Sequence, residues 1–109
     1  MFTATAIGRL VKDPVLEQTT KGTPVCKFRL ACDKPRGREG ASYIDVVVWG
    51  GAENHHTHLS RGRQVAVSGN LEHQQWRDNE GQPHERFELV ADQVTWLAKP
   101  RAAASNGAG

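Results

Sequence analysis

Residues 42–49, SYIDVVVW, constrain this chain more than any other segment. β-branched side chains are stiff at χ1 and pack well on a pleated sheet, so a run of one isoleucine and three valines reads as a strand. On a period of two, Ile44, Val46 and Val48 share one face, and Tyr43, Asp45, Val47 and Trp49 share the other. The first face is wholly apolar and belongs to a core. Tyr43 and Trp49 are left on the accessible side, and Gly50 and Gly51 end the strand.

The rest of the chain reads in the same way. Residues 2–11 alternate loosely, with Gly8 marking a bulge or a close approach of two backbones. Asp13 and Pro14 signal a turn, residues 15–20 continue the strand, and residues 21–24 make a hairpin connection. In VCKFRLACD, residues 25–33, Cys26, Phe28, Leu30 and Cys32 face the core, with Lys27, Arg29, Ala31 and Val25 on the other side. Residues 34–41, KPRGREGA, form a flexible basic loop without an apolar anchor. Residues 52–60 are the one helical segment, closed by Gly62. Residues 63–78 form a long strand with Val65, Val67 and Leu71 inward, and 78–82 a hairpin turn. Residues 84–97 are the last strand, on which alternation puts Phe87 toward the core. Trp96, in VTWL, packs in the core or a subunit interface.

A chain of 109 residues supports one core, burying roughly two-thirds of its unfolded surface. The expected domain is 1–97, with an Ala/Gly/Ser-rich flexible tail over 98–109. No segment approaches a membrane span or a signal peptide, and the reading is of a soluble cytoplasmic protein. The element order implies an all-β fold: a five-stranded Greek-key barrel of the OB type, with one short helix between the third and fourth strands.

A net charge of +2 does not by itself select a polyanionic partner. The placement of aromatic side chains is more telling. Trp76 is framed by Gln74, Gln75, Arg77 and Asp78, where a buried Trp would have apolar neighbours. Together with Tyr43 and Trp49 it forms a set of strand-borne rings among basic and amide groups. Such rings stack on unpaired bases, each stack contributing about 1–3 kcal/mol without regard to sequence. Cys26 and Cys32, six apart on one strand, are too far apart for a disulfide within that strand and read as reduced thiols. His55, His56 and His58 lack the further ligands of a zinc site and read as a partly solvated helix face. No catalytic constellation, phosphate-cradling loop or metal signature is present, so the reading is of a non-enzymatic protein without a cofactor.

The pieces GRLVKDP, TPVCKFRLA, YIDVVVWGGAEN, LSRGRQVAVSGNL and ELVADQVTWL together resemble the bacterial-type single-stranded DNA-binding proteins, in order and spacing across residues 1–97. The resemblance implies an OB-fold subunit of a homotetramer, or of a dimer, that coats single-stranded DNA in replication, recombination or repair. It places Tyr43, Trp49 and Trp76 at the family's aromatic positions. Arg9, Lys12, Lys27, Arg29, Lys34, Arg36, Arg63, Arg77 and Arg86 stand as phosphate contacts, with Arg61 a further candidate. The loops 34–41 and 77–82 would close over the strand. Where the family often has a further aromatic, this chain has Asp33-Lys34-Pro35-Arg36, and the Arg36 guanidinium plane is the substitute. The sequence stops at Gly109 without the family's acidic C-terminal tip, read either as a truncation or as a short tailless paralogue, and the expectation is that tail-mediated protein recruitment is absent. The competing reading is an OB-fold adaptor of a replication or primosome complex.

Overall fold

In the computed structural model, which describes residues 1–97, the alternating segments form six strands. These are β1 (Thr3–Leu10), β2 (Val15–Gln18), β3 (Pro24–Asp33), β4 (Ala41–Val48), β5 (Gln64–Arg77) and β6 (Pro83–Trp96), with one helix, α1 (Ala52–His58), between β4 and β5. The tail expected over 98–109 lies outside the described residues. The strand order is β1-β5-β6-β4-β3-β2, and a further pairing of β1 with β3 closes five of the strands into a barrel. All pairings are antiparallel except β4 with β6, where Val46 faces Leu89. The five-stranded barrel and the helix position match the reading from sequence, with one change. Residues 15–20 do not prolong the first strand: β2 is a separate edge strand paired to β3, Leu16 opposite Cys26. Pro14, which lacks an N–H for the ladder, stands at the break.

Barrel closure requires β1 to serve two neighbours. Thr3 to Arg9 pair with β5, while Arg9 and Leu10 also pair with Ala31 and Leu30 of β3. Gly8 makes the crossing possible, because a Cβ there would lie 2.5 Å from the Ala31 carbonyl oxygen and 2.8 Å from Cys32 Sγ. The close approach expected at Gly8 is thus the seam of the barrel. A second such glycine, Gly69, sits at a register shift between β5 and β6. A Cβ on Gly69 would fall on the Val90 carbonyl oxygen and within 2.9 Å of Ala91 Cα.

The core fills as the alternation requires. Leu10, Cys26, Phe28, Leu30, Val46, Val48, Val65, Val67 and Leu89 are buried inside the barrel, with Ala52 and Leu59 of the helical segment among them. Each fully buried Leu or Val contributes about 1.5–3 kcal/mol relative to exposure. Burial pushes the Cys26 thiol up to about 11, as befits a packing residue rather than a reactive one. Cys32 is raised as well, by burial and then by the Asp33 charge, and both cysteines are free.

Three side chains keep the expected face but not the expected burial. Val47 and Val25 point away from the barrel interior yet are buried. Their strands are flanked on both sides or by β2, with Val47 between Lys27 and Val90 and Val25 beside Glu17. Phe87, expected in the core, is 46% exposed. It lies on the same side of β6 as Leu89, but residues 72–77 and 83–87 extend past the barrel, where almost every residue is exposed. The period was right and the covering layer was absent. Phe87 stacks instead on its cross-strand partner His73, ring centroids 4.7 Å apart.

The helix face carrying the histidines is more engaged than a solvated surface. The Trp96 indole N–H donates to His55 Nδ1 at 3.0 Å, and His58 stacks on the same indole with centroids 5.5 Å apart. Arg63 Nε donates to the Leu97 carbonyl at 3.0 Å, and its guanidinium lies 5.8 Å from the Trp96 ring. This clasp ties α1 to the end of β6, consistent with the packing role read for Trp96.

Two outcomes follow. Gly69→Ala should destabilise the fold by about 1–3 kcal/mol, because the backbone of β6 from Val90 to Asp92 blocks the new methyl group; urea titration measures it. Burial holds His55 below its ordinary value of 6.5, so the folded state favours the neutral imidazole that accepts from Trp96. The unfolded chain then takes up the proton first as pH falls, so the His55 contribution is complete above 6.5 and is lost below it. His55→Phe should flatten that acid limb in thermal melts recorded across the same range.

Candidate nucleic-acid interface

Period-two alternation on β3 and β4 brings several of the expected site residues to one outer face. Arg29 pairs with Asp45, Ala31 with Tyr43, and Arg9 with Ala31, so Arg9, Ala31 and Tyr43 form a row across three strands. The Arg29 guanidinium sits 5.2 Å from the centroid of the Tyr43 ring. In the parallel register Asp45 faces Glu88, which puts Arg86 at the same step along β6 as Tyr43 along β4. Arg86 in turn lies 5.6 Å from the centroid of Trp76. Two exposed rings, Tyr43 at 56% and Trp76 at 45%, therefore each have a guanidinium neighbour on one outer face, with Arg86 on the strand between them.

A cleft runs beside these rings. Its cationic lining comes from Lys12, Lys27, Arg29 and Arg86, and its outward-facing apolar lining from Val15 and Val47. Carboxylates are interleaved with the cations. Lys27 Nζ is 3.0 Å from a Glu17 oxygen, and Arg86 Nη2 is 3.1 Å from Glu88. Glu88 is nearly buried and also accepts from Gln74 Nε2 at 2.8 Å, so its charge is well satisfied. The Lys27–Glu17 pair is exposed, and such pairs contribute at most about 1 kcal/mol. Breaking this pair therefore costs little. Asp13 is held as the acceptor of the Arg61 backbone N–H at 2.8 Å, leaving the Arg61 side chain exposed.

The remaining expected residues are spread more widely. Trp49, 44% exposed, stands just past β4. It is six residues from Tyr43, about 20 Å along a strand. Lys34 precedes and Arg36 lies within a 3₁₀ turn, Pro35–Gly37, inside the loop expected to be flexible. Arg36 takes φ 61°, the left-handed region, as the one positive-φ residue other than glycine among those described. Its side chain is exposed. Arg77 is engaged in the hairpin turn, its Nη1 donating to the Gly81 carbonyl at 2.8 Å. Arg63 is committed to the Trp96 clasp and stands apart from the cleft.

Several neighbours of the candidate site residues went unremarked in the sequence. His84 is the cross-strand partner of Trp76 and stacks on it, centroids 5.4 Å apart with planes at 16°. Asp78 closes the turn by accepting the Glu80 and Gln82 backbone N–H groups at 2.9 Å each, and accepts from His84 Nε2 at 2.8 Å. These hydrogen bonds, first that of His84, hold the Asp78 carboxyl below the usual carboxylate range. The signal was present: once 78–82 is read as the turn, Trp76 and His84 must face each other across the hairpin. Glu17 carried no comparable signal, since Lys27 comes from another strand, and of the Glu88 partners only Arg86 is near in the chain, Gln74 coming from β5. Among the described residues no group of three or more His, Cys, Asp or Glu is placed to hold a metal ion. Nor is any helix long and apolar enough to cross a membrane.

A closed five-stranded barrel with a helix across one end, and with rings and cations on an outer face, defines an OB-fold protein. The chain belongs to the Single-strand binding protein family, whose model matches residues 1–97. It is 37% identical over 106 residues to the single-stranded DNA-binding protein of Caldanaerobacter subterraneus subsp. tengcongensis, covering 93% of this chain and 70% of that protein. It is 38% identical over 96 residues to single-stranded DNA-binding protein 2 of Clostridium acetobutylicum, covering 84% of this chain and 72% of that one. The fold superposes on the Plasmodium falciparum SSB complex with ssDNA with a TM-score of 0.78 at 23% identity, over 90% of this chain and 96% of that chain.

Proposed function

We propose that residues 1–97 bind and coat single-stranded DNA without strong sequence preference, in replication, recombination or repair in the cytoplasm. The observation that carries this reading is the run of Arg29, Tyr43, Arg86 and Trp76 along one outer face, each ring with a guanidinium within 6 Å. Rings stack on bases of any identity, and the flanking cations neutralise the phosphates between them. Lys12 and Lys27 extend the electrostatic track along the cleft. Arg9, Lys34 and Arg36 flank it, and Trp49 offers a third ring. Arg63 and Arg77 support the fold and the hairpin in addition to any phosphate contact, because their donors are already in use.

The working form is a homo-oligomer, a tetramer or a dimer. Exposed Phe2, Ile7 and Phe87 support this, since large apolar side chains left in water favour association. Linking several such faces on one strand multiplies affinity through effective concentration. Light scattering of the free protein gives the assembly size directly.

Binding is tested by anisotropy of a labelled oligo-dT in low salt. The four cleft cations together should give a log–log salt slope of about 3 per protomer, from about 0.7 per neutralised phosphate. Trp76→Ala should weaken binding by about 1–3 kcal/mol while leaving the melting temperature almost unchanged. A folded, oligomeric protein with no affinity for the oligonucleotide at low salt would overturn the reading.

A further inference from the structure

The distal half of the β5–β6 hairpin carries two imidazole–carboxylate pairs, one on each face. His73 Nε2 lies 2.6 Å from a Glu85 oxygen on the Phe87 side. His84 Nε2 lies 2.8 Å from Asp78 Oδ2 on the Trp76 side. The second pair is inside the candidate interface. Part of the Trp76 ring is covered by an imidazole that is itself anchored, so any base stacking on this indole does so next to His84.

The charges around His84 are few and can be enumerated by element. From β5 come Trp76 and Arg77, the latter turned to the Gly81 carbonyl. From the turn come Asp78 and Glu80, of which Asp78 is in contact. From β6 comes Arg86, two residues along on the same face, while Glu85 is turned to the other face and holds His73. Asp78 is held ionised well below neutral pH by its three donors, so it contributes a constant negative charge. The imidazole is the one group here whose type ordinarily changes charge near neutrality. With neutral His84 the pair carries one net negative charge beside the stacking ring. With protonated His84 that charge is cancelled and a cationic ring lies parallel to the indole.

We propose that His84 is a further residue of the single-strand site, and that its protonation couples strand binding to pH, with tighter binding in the more acidic medium. The inference rests on the single-strand reading given above. Its direction follows from sign alone: a polyanion favours the state in which the local negative charge has been removed. By reciprocity, binding the strand draws a proton onto His84.

The test is anisotropy of labelled oligo-dT at fixed ionic strength at about pH 6 and about pH 8, the interval in which histidine changes charge. The native protein should bind roughly four-fold tighter at the lower pH, the effect of one unit charge near a phosphate in a largely aqueous medium. Its log–log salt slope should rise by up to about 0.7 over the same interval. His84→Phe keeps a ring against Trp76 but has no proton to gain, so it should bind as the native protein does at the higher pH and show no gain at the lower one. His73→Gln, on the opposite face, should retain the full gain. Equal gains in the native protein and His84→Phe would overturn this inference and leave the single-strand reading intact. A gain lost in His73→Gln would overturn it too, by moving the effect to the other face. Absence of binding at both pH values would overturn the single-strand reading and this inference with it.

Discussion

The barrel depends on β1 being shared between β5 and β3, and that sharing depends on the absence of a side chain at Gly8. An open sheet of these strands would leave β1 unpaired on one side, with the part of β3 beyond β2, and a hydrophobic face with no cover. Closure removes those edges and turns the inner faces of five strands into one core. It also fixes the curvature of the outer surface, so that Arg9, Ala31 and Tyr43 come into one row although they belong to three strands. The site is thus a consequence of the seam rather than an addition to it.

The outer face works by balance rather than by excess charge. Its cations are interleaved with Glu17, Asp45 and Glu88, in keeping with a chain whose net charge is only +2. Exposed pairs such as Lys27–Glu17 hold long side chains near the cleft at little energetic cost. A nearly buried acceptor such as Glu88 is a stiffer constraint and holds Arg86 between the Tyr43 and Trp76 regions. The arrangement keeps the cations oriented while leaving them available to a stronger anion. In the proposed mode of binding, stacking would add an uncharged contribution beside the electrostatic one.

Much of this was legible beforehand. The inner residues of β3, β4 and β5 followed from alternation, and the turns at 21–24 and 78–82 from Gly, Pro and Asp. The exposed rings Tyr43, Trp49 and Trp76 followed from apolar partners on the opposite face or polar neighbours in the chain. Less legible was anything involving two distant segments. Arg63 looked like a free cation and is the anchor of Trp96. His55 looked solvated and is the acceptor for the Trp96 indole. In both cases the partner lies more than thirty residues away, and no local pattern announces it.

What the sequence by itself determined was direction: which side of each strand a residue faces, and where the chain turns back. Both follow from backbone geometry that repeats every two residues. What only the tertiary structure decided was cover and company. Phe87 and Leu89 point the same way on one strand, yet Leu89 is buried and Phe87 is in water, because the barrel ends between them. Val47 points outward and is buried all the same, set between Lys27 and Val90 of the adjoining strands. Direction is a local property of the chain, whereas cover depends on how far the closed barrel extends.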